Sequence, residues 1–185
     1  QGMPQAKLGW IMLYRARGDY EQHLDEIRQS CETWLNEVSD CYAELATVYR
    51  IQGDEEALKG LMARLEADYA GERVPPAEVK GVANALADEG AGEPRPEEAK
   101  QLNEMIAPQW PDAWASLANL VRNYPQLGEG EQIVEYLEKG VEAGSSKAAI
   151  GLGQVYLNGR LVPAEPDKAE KYLLIAAPQE PKARI

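Results

Sequence analysis

Residues 148–159 read Ala148-Ala149-Ile150-Gly151-Leu152-Gly153-Gln154-Val155-Tyr156-Leu157-Asn158-Gly159. Ala148, Leu152 and Tyr156 stand about one helical turn apart, with a small residue, Gly153, beside the middle one. That spacing predicts a helix with one buried stripe. Gly159 then stands where a left-handed C-cap is expected. After a loop, Pro166-Asp167 opens a second helix carrying Lys168-Ala169, Tyr172-Leu173 and Ala176-Ala177. The pattern restarts at Ala183, 35 positions after Ala148.

The same unit recurs towards the N-terminus. A step of 35 reaches Ala113, with Leu117-Ala118 and Val121 at matching offsets. A further 35 gives Glu78 with Val82 and Leu86, a step of 37 gives Cys41 with Leu45-Ala46 and Tyr49, and a last 35 gives Ala6 with Trp10 and Tyr14. Tyr14, Tyr49, Leu86, Val121 and Tyr156 therefore occupy one position five times. The expected repeats are 4–38, 39–74, 75–110, 111–145 and 146–182, within a single repeat domain over 1–185.

Each unit reads as two helices. Gly18, Gly53, Gly90 or Gly159 closes the first, and Asp19, Asp54, Pro96 or Pro166 opens the second. Small residues beside the buried stripe (Ala46, Ala118, Gly153) let the partner helix approach. The second helix has its own stripe in Leu58, Leu61, Met62, Leu65 and Tyr69, and again in Ala99, Leu102, Met105 and Ile106. No segment alternates with period two between hairpin turns. The expected fold is all-α: antiparallel helix pairs of about 35 residues stacked as a right-handed superhelical solenoid, each pair burying its face against its neighbours.

Composition narrows the function. Nineteen Lys and Arg stand against 31 Asp and Glu, a net charge of −12. That opposes binding to nucleic acid or anionic membranes, which need a positive footprint. The apolar share of 44% suits a packed globular chain. No apolar run reaches the roughly 18 residues of a membrane span, and no signal peptide leads the chain. The start, Gln1-Gly2-Met3-Pro4, is expected to lie inside a longer protein.

A family resemblance follows from these residues. Lys139-Gly140, Ala143-Gly144, Ala148, Leu152-Gly153, Tyr156 and Gly159 resemble a Sel1-type repeat, and earlier units resemble tetratricopeptide repeats. Leu13-Tyr14-Arg15, Tyr20-x-Gln22-His23-Leu24, Cys41-Tyr42-x-Glu44-Leu45-Ala46-Thr47-Val48-Tyr49, Trp114-x-Ser116-Leu117-Ala118 and Pro125-x-Leu127-Gly128 resemble consecutive parts of the AlgK family. These are periplasmic, outer-membrane-anchored lipoproteins of bacterial alginate secretion. The resemblance implies a non-enzymatic scaffold whose partners are the alginate acetyltransferase AlgX and the outer-membrane alginate export porin. It also implies a lipidated N-terminal anchor, which this sequence does not contain.

Catalytic and metal chemistry find little support. His23 is the one histidine; Asp19 at i−4 and Glu26 at i+3 could share its helix face as a metal or acid–base cluster, but a solvated His paired with carboxylates is the preferred reading. There is no nucleophile elbow, Walker A motif or CxxC. Gly128-Glu129-Gly130 lacks the strand and Lys of a phosphate loop. Glu55-Glu56 and Glu97-Glu98 suit helix N-termini. No cofactor is expected.

Two groups of residues remain as candidates. Cys31 and Cys41 flank a helix-to-helix connection and could form a disulfide, which would add about 2–3 kcal/mol and is favoured in a periplasm. Cys41 also suits a plain buried position, since its equivalents are Ala6, Ala113 and Ala148. The second group follows the repeat register: in the families this chain resembles, positions flanking the Tyr site line the concave face. One after Tyr gives Arg15, Arg50 and Arg122; two before gives Asn84 and Asn119; six before adds Lys80. These form a candidate partner-binding strip suited to carboxylates, because guanidinium groups grip them bidentately. Local acids such as Glu44 could instead neutralise the arginines. Two other functions stay open: a generic peptide-binding adaptor, and direct binding of the anionic polysaccharide through the Arg strip.

Overall fold

The structure, a computed structural model, describes residues 8–177. Ten α-helices and two short 3-10 turns make up its elements, with no strand among the described residues. The helices are α1 (Gly9–Arg17), α2 (Leu24–Trp34), α3 (Cys41–Gln52), α4 (Glu55–Ala70), α5 (Pro76–Ala87), α6 (Pro96–Ile106), α7 (Asp112–Asn123), α8 (Gly130–Glu142), α9 (Ser146–Asn158) and α10 (Pro166–Ala176). The expected all-α fold is present. The chain divides after Ala99, inside α6, into two compact units.

In the first unit α3 is the hub and packs against α2, α4 and α5. A helix covered on several sides must be apolar round most of its circumference, and Cys41, Leu45, Ala46, Val48 and Tyr49 are all buried. Of the stripe predicted for α4, Leu58, Leu61 and Leu65 are buried, while Met62 and Tyr69 sit at its edge.

Phe is absent from the sequence, and this shapes the packing. Tyrosine supplies the aromatic bulk, so its hydroxyl needs an acceptor. Acidic side chains on neighbouring segments supply them. Tyr20 donates to Glu44 at 2.9 Å, Tyr49 to Glu32 at 2.9 Å, and Tyr42 to Asp68. In the second unit Tyr136 donates to Glu104 at 3.1 Å. Burial, then the bonded carboxylate, pushes the Tyr42 and Tyr136 phenols up to about 12. Part of the acidic excess is thus structural.

In the second unit α9 packs against α8 and α10, and α7 against α8. Glycine permits two of these approaches. A Cβ on Gly153 would lie 2.8 Å from Leu173 Cγ and 3.3 Å from the Ala169 carbonyl. A Cβ on Gly140 would lie 2.5 Å from that of Ala148. Ser145 caps α9, accepting from the Ala148 N–H at 3.1 Å while donating to Asp112 at 2.6 Å.

The turns divide into expected and unexpected. Gly18, Gly53 and Gly159 are left-handed, as the sequence predicts. Gly90 is not; Gly92 takes that conformation, because α5 ends on an extended Asp88 and the loop turns later. Asp54 caps α4 through the Ala57 N–H at 3.0 Å. Asp19, its equivalent in the register, makes no cap, because a 3-10 turn over Tyr20–His23 precedes α2.

Candidate interaction surface

Arg15, on α1, lies above a hollow framed by α3 and α5. It pairs with Glu44 at 2.7 Å, and its guanidinium sits 4.1 Å from the Tyr20 ring centre. Asn84, Thr47 and Asp88 line the same opening, which comprises two adjoining hollows of about 490 and 550 Å³. Glu44 thus already binds both Arg15 and Tyr20. Lys80 lies half-buried on α5, while Asn84 is exposed.

Arg50 has a different role from the one its register suggests. It is only 7% exposed. Its Nε donates to the Glu93 carbonyl at 3.0 Å, and Nη2 to those of Asp88 and Glu93 at 2.8 and 2.9 Å. Nη1 donates to the Ala85 carbonyl. A buried charge must be compensated, and here the C-terminal end of α5 and its loop do so. Gly92 completes the fit, since a Cβ there would lie 3.0 Å from the Arg50 carbonyl oxygen. Arg50 is a clamp on this loop and has no guanidinium free for a partner.

Arg122, on α7, is exposed and pairs with no carboxylate among the described residues; its Nη1 donates to Asn119 Oδ1 at 3.0 Å. It lines a cleft of about 280 Å³ with Ile133 of α8, Gln154 and Asn158 of α9, and Arg160 and Leu161 of the next loop. One register column therefore yields an ion pair, a loop clamp and a cleft wall.

Two arginines outside that column stand out. Arg28 joins Glu32 at 2.9 Å, Asp54 at 2.8 Å and the Tyr49 ring at 4.8 Å. The backbone N–H of Ala57, then Arg28, holds the Asp54 carboxyl below its ordinary range. Arg160 lines the second cleft from a loop. A lone Arg after a glycine carries no periodic signal, so the repeat register could not point to it.

The remaining sequence candidates have plain surroundings. His23 stacks on Tyr14 with ring centres 3.6 Å apart, and its nitrogens lie 3.9 and 3.5 Å from Asp19 and Glu26. No group of three or more potential metal ligands occurs among the described residues. Cys31 and Cys41 are free thiols, both fully buried. The neighbouring Cys41 thiol, then burial, pushes the Cys31 thiol up. Cys41 is thus a small core residue that lies beside Cys31.

Residues 23–107 match the AlgK tetratricopeptide repeat domain. The alginate biosynthesis protein AlgK of Pseudomonas aeruginosa is 46% identical over 177 residues, 96% of this chain and 37% of that protein. The chain belongs to the AlgK family. AlgK of Pseudomonas putida is 42% identical over 95% of the chain and 36% of its own length. AlgK of Azotobacter vinelandii is 35% identical over 98% and 40%. The chain thus spans well under half the length of these AlgK relatives. Among solved structures, a protective antigen of uropathogenic Escherichia coli with an SLR fold superposes at a TM-score of 0.51. It covers 97% of this chain and 39% of its own, at 21% identity. The likeness places this AlgK-family chain among helical repeat folds. No described helix is long and apolar enough to cross a membrane.

Proposed function

We propose that the chain is a non-enzymatic periplasmic scaffold of the alginate modification and secretion machinery. In this reading the helical repeats hold the acetyltransferase AlgX and the outer-membrane export porin together, in a protein anchored to the outer membrane by a lipidated N-terminus. The observation carrying it is the relation to AlgK across nearly the whole chain, joined to helix pairs that pack through repeated buried apolar stripes. Calorimetric titration of the chain against the acetyltransferase and the porin tests it. Saturable binding to either supports the scaffold; binding to neither overturns it for this part of the protein.

The arginines of the repeat register do not carry the polysaccharide reading, since Arg50 is committed to carbonyls and Arg15 to Glu44. We further propose that Cys31 and Cys41 close into a disulfide in an oxidising compartment. The two thiols would lose two protons and two electrons to a disulfide-bearing oxidoreductase. Mass spectrometry of unreduced protein finding two free thiols would refute this.

A further inference from the structure

Most cations of this acidic chain are already engaged. Arg15, Arg28, Arg64, Arg73, Arg95, Lys100, Lys139, Lys147 and Lys168 each lie within 4 Å of a carboxylate. Arg50 is held by carbonyls. Among the described residues, neither Arg122 nor Arg160 has an acidic partner, and both line the same cleft of about 280 Å³. On a chain of net charge −12, two arginines without an acidic partner at one hollow concentrate positive potential there.

The other walls define the chemistry. Gln154 and Asn158 present amides that can both donate to and accept from a peptide backbone. Ile133 is buried at the floor, while Leu161 is 41% exposed beside the arginines. A ligand must therefore bring a carboxylate and an apolar side chain together. A peptide segment with an acidic residue next to a leucine-like one does this. A polyuronate has the carboxylate but no apolar group for Leu161, and the surrounding −12 charge repels a polyanion along its length.

We propose that the cleft between α7, α8, α9 and the loop after Gly159 is a docking site for an acidic, apolar-flanked peptide segment of a partner protein. Arg122 and Arg160 take the carboxylate, and Ile133 and Leu161 take the neighbouring side chain. The site deepens the scaffold reading and rests on it for its partner.

The test uses the whole chain and a fluorescein-labelled peptide, Gly-Leu-Asp-Glu-Leu, followed by anisotropy at low salt. Saturable binding is expected, with at least a tenfold loss in the Arg122→Glu, Arg160→Glu double variant. The matched control, Arg17→Glu with Lys59→Glu, carries the same charge change on the first unit and is expected to bind as the parent does. The peptide with Asn and Gln for its acids is expected to bind at least tenfold more weakly. Circular dichroism melting shows that the variants, altered at exposed positions, stay folded. Absent peptide binding, equal loss in both double variants, or tighter binding of an oligouronate than of the peptide overturns the site. The two readings separate in a parallel titration with the acetyltransferase and porin. Partner binding that the Arg122, Arg160 double variant leaves unchanged overturns the site and spares the scaffold. Peptide binding without partner binding overturns the scaffold and spares the cleft.

Discussion

Arg50 and Glu78 show how single residues of the first unit carry more than their register implies. Arg50 spreads one guanidinium over carbonyls of the α5 end and its loop. Lysine keeps the charge but offers no planar fork, so it cannot reach these acceptors together. Arg50→Lys is expected to cost about 1–3 kcal/mol, the range for leaving buried acceptors unsatisfied, lowering the thermal midpoint by several degrees in calorimetry. An unchanged midpoint would show that the loop holds itself. Glu78 makes the opposite kind of prediction. Burial, then the charge of nearby Asp40, raises its carboxyl from the ordinary 4.5 to about 6. The folded state thus holds this proton more tightly than the unfolded chain does. The resulting stability is full below 4.5 and is lost as pH rises through 6. Glu78→Gln should therefore stabilise the protein at pH 7 by about 1 kcal/mol, allowing for partial exposure. It should do nothing at pH 4. Urea melts at the two pH values check both halves.

At the scale of elements, the sequence was most legible where packing repeats. The stripes of Cys41, Leu45 and Tyr49 and of Ala113, Leu117 and Val121 are buried as their spacing requires, because a helical period reports directly which face meets a neighbour. Turn chemistry was legible where glycine follows a regular helix end, at Gly18, Gly53 and Gly159. It failed at Gly90 and Asp19, where the local path depends on a distant Arg50 or on a preceding 3-10 turn. The candidate site was legible only in part. Register identifies which residues are equivalent in the repeat, yet their partners come from other helices, so Arg15, Arg50 and Arg122 diverge. Two helix-interior glycines test the packing argument. Gly153 faces Leu173 and the Ala169 carbonyl, whereas Gly60 has nothing within 4 Å of an added Cβ. Helix propensity alone favours alanine over glycine by about 0.5–1 kcal/mol at either position. Gly60→Ala should show that gain. Gly153→Ala should instead destabilise by about 1–2 kcal/mol, because α9 and α10 must move apart. Equal effects at both sites would mean that the close approach of α9 to α10 is not what selects glycine.

At the scale of the whole molecule, the charge of −12 divides into working and surplus parts. Carboxylates such as Glu32, Glu44, Asp68 and Glu104 accept tyrosine hydroxyls, and others hold Arg or Lys. The surplus remains on the surface, where like charges repel across distances that salt screens within about 10 Å at 0.1 M. Two opposed effects follow from added salt. Screening weakens the exposed ion pairs, but each is worth only about 0–1 kcal/mol. It also relieves repulsion among the unpaired acids, and that acts on the whole compact state. The second effect should win, because the surplus of twelve charges has no compensating partner. The thermal midpoint should therefore rise by a few degrees between 10 and 300 mM sodium chloride at pH 7, read by scanning calorimetry. The gain should shrink towards the isoelectric pH of 4.6, where the net repulsion vanishes. A midpoint that falls with salt at pH 7 would mean that the ion pairs outweigh the repulsion. The acidic surface would then be a stabilising network rather than a charge tolerated for the repulsion it directs at other polyanions.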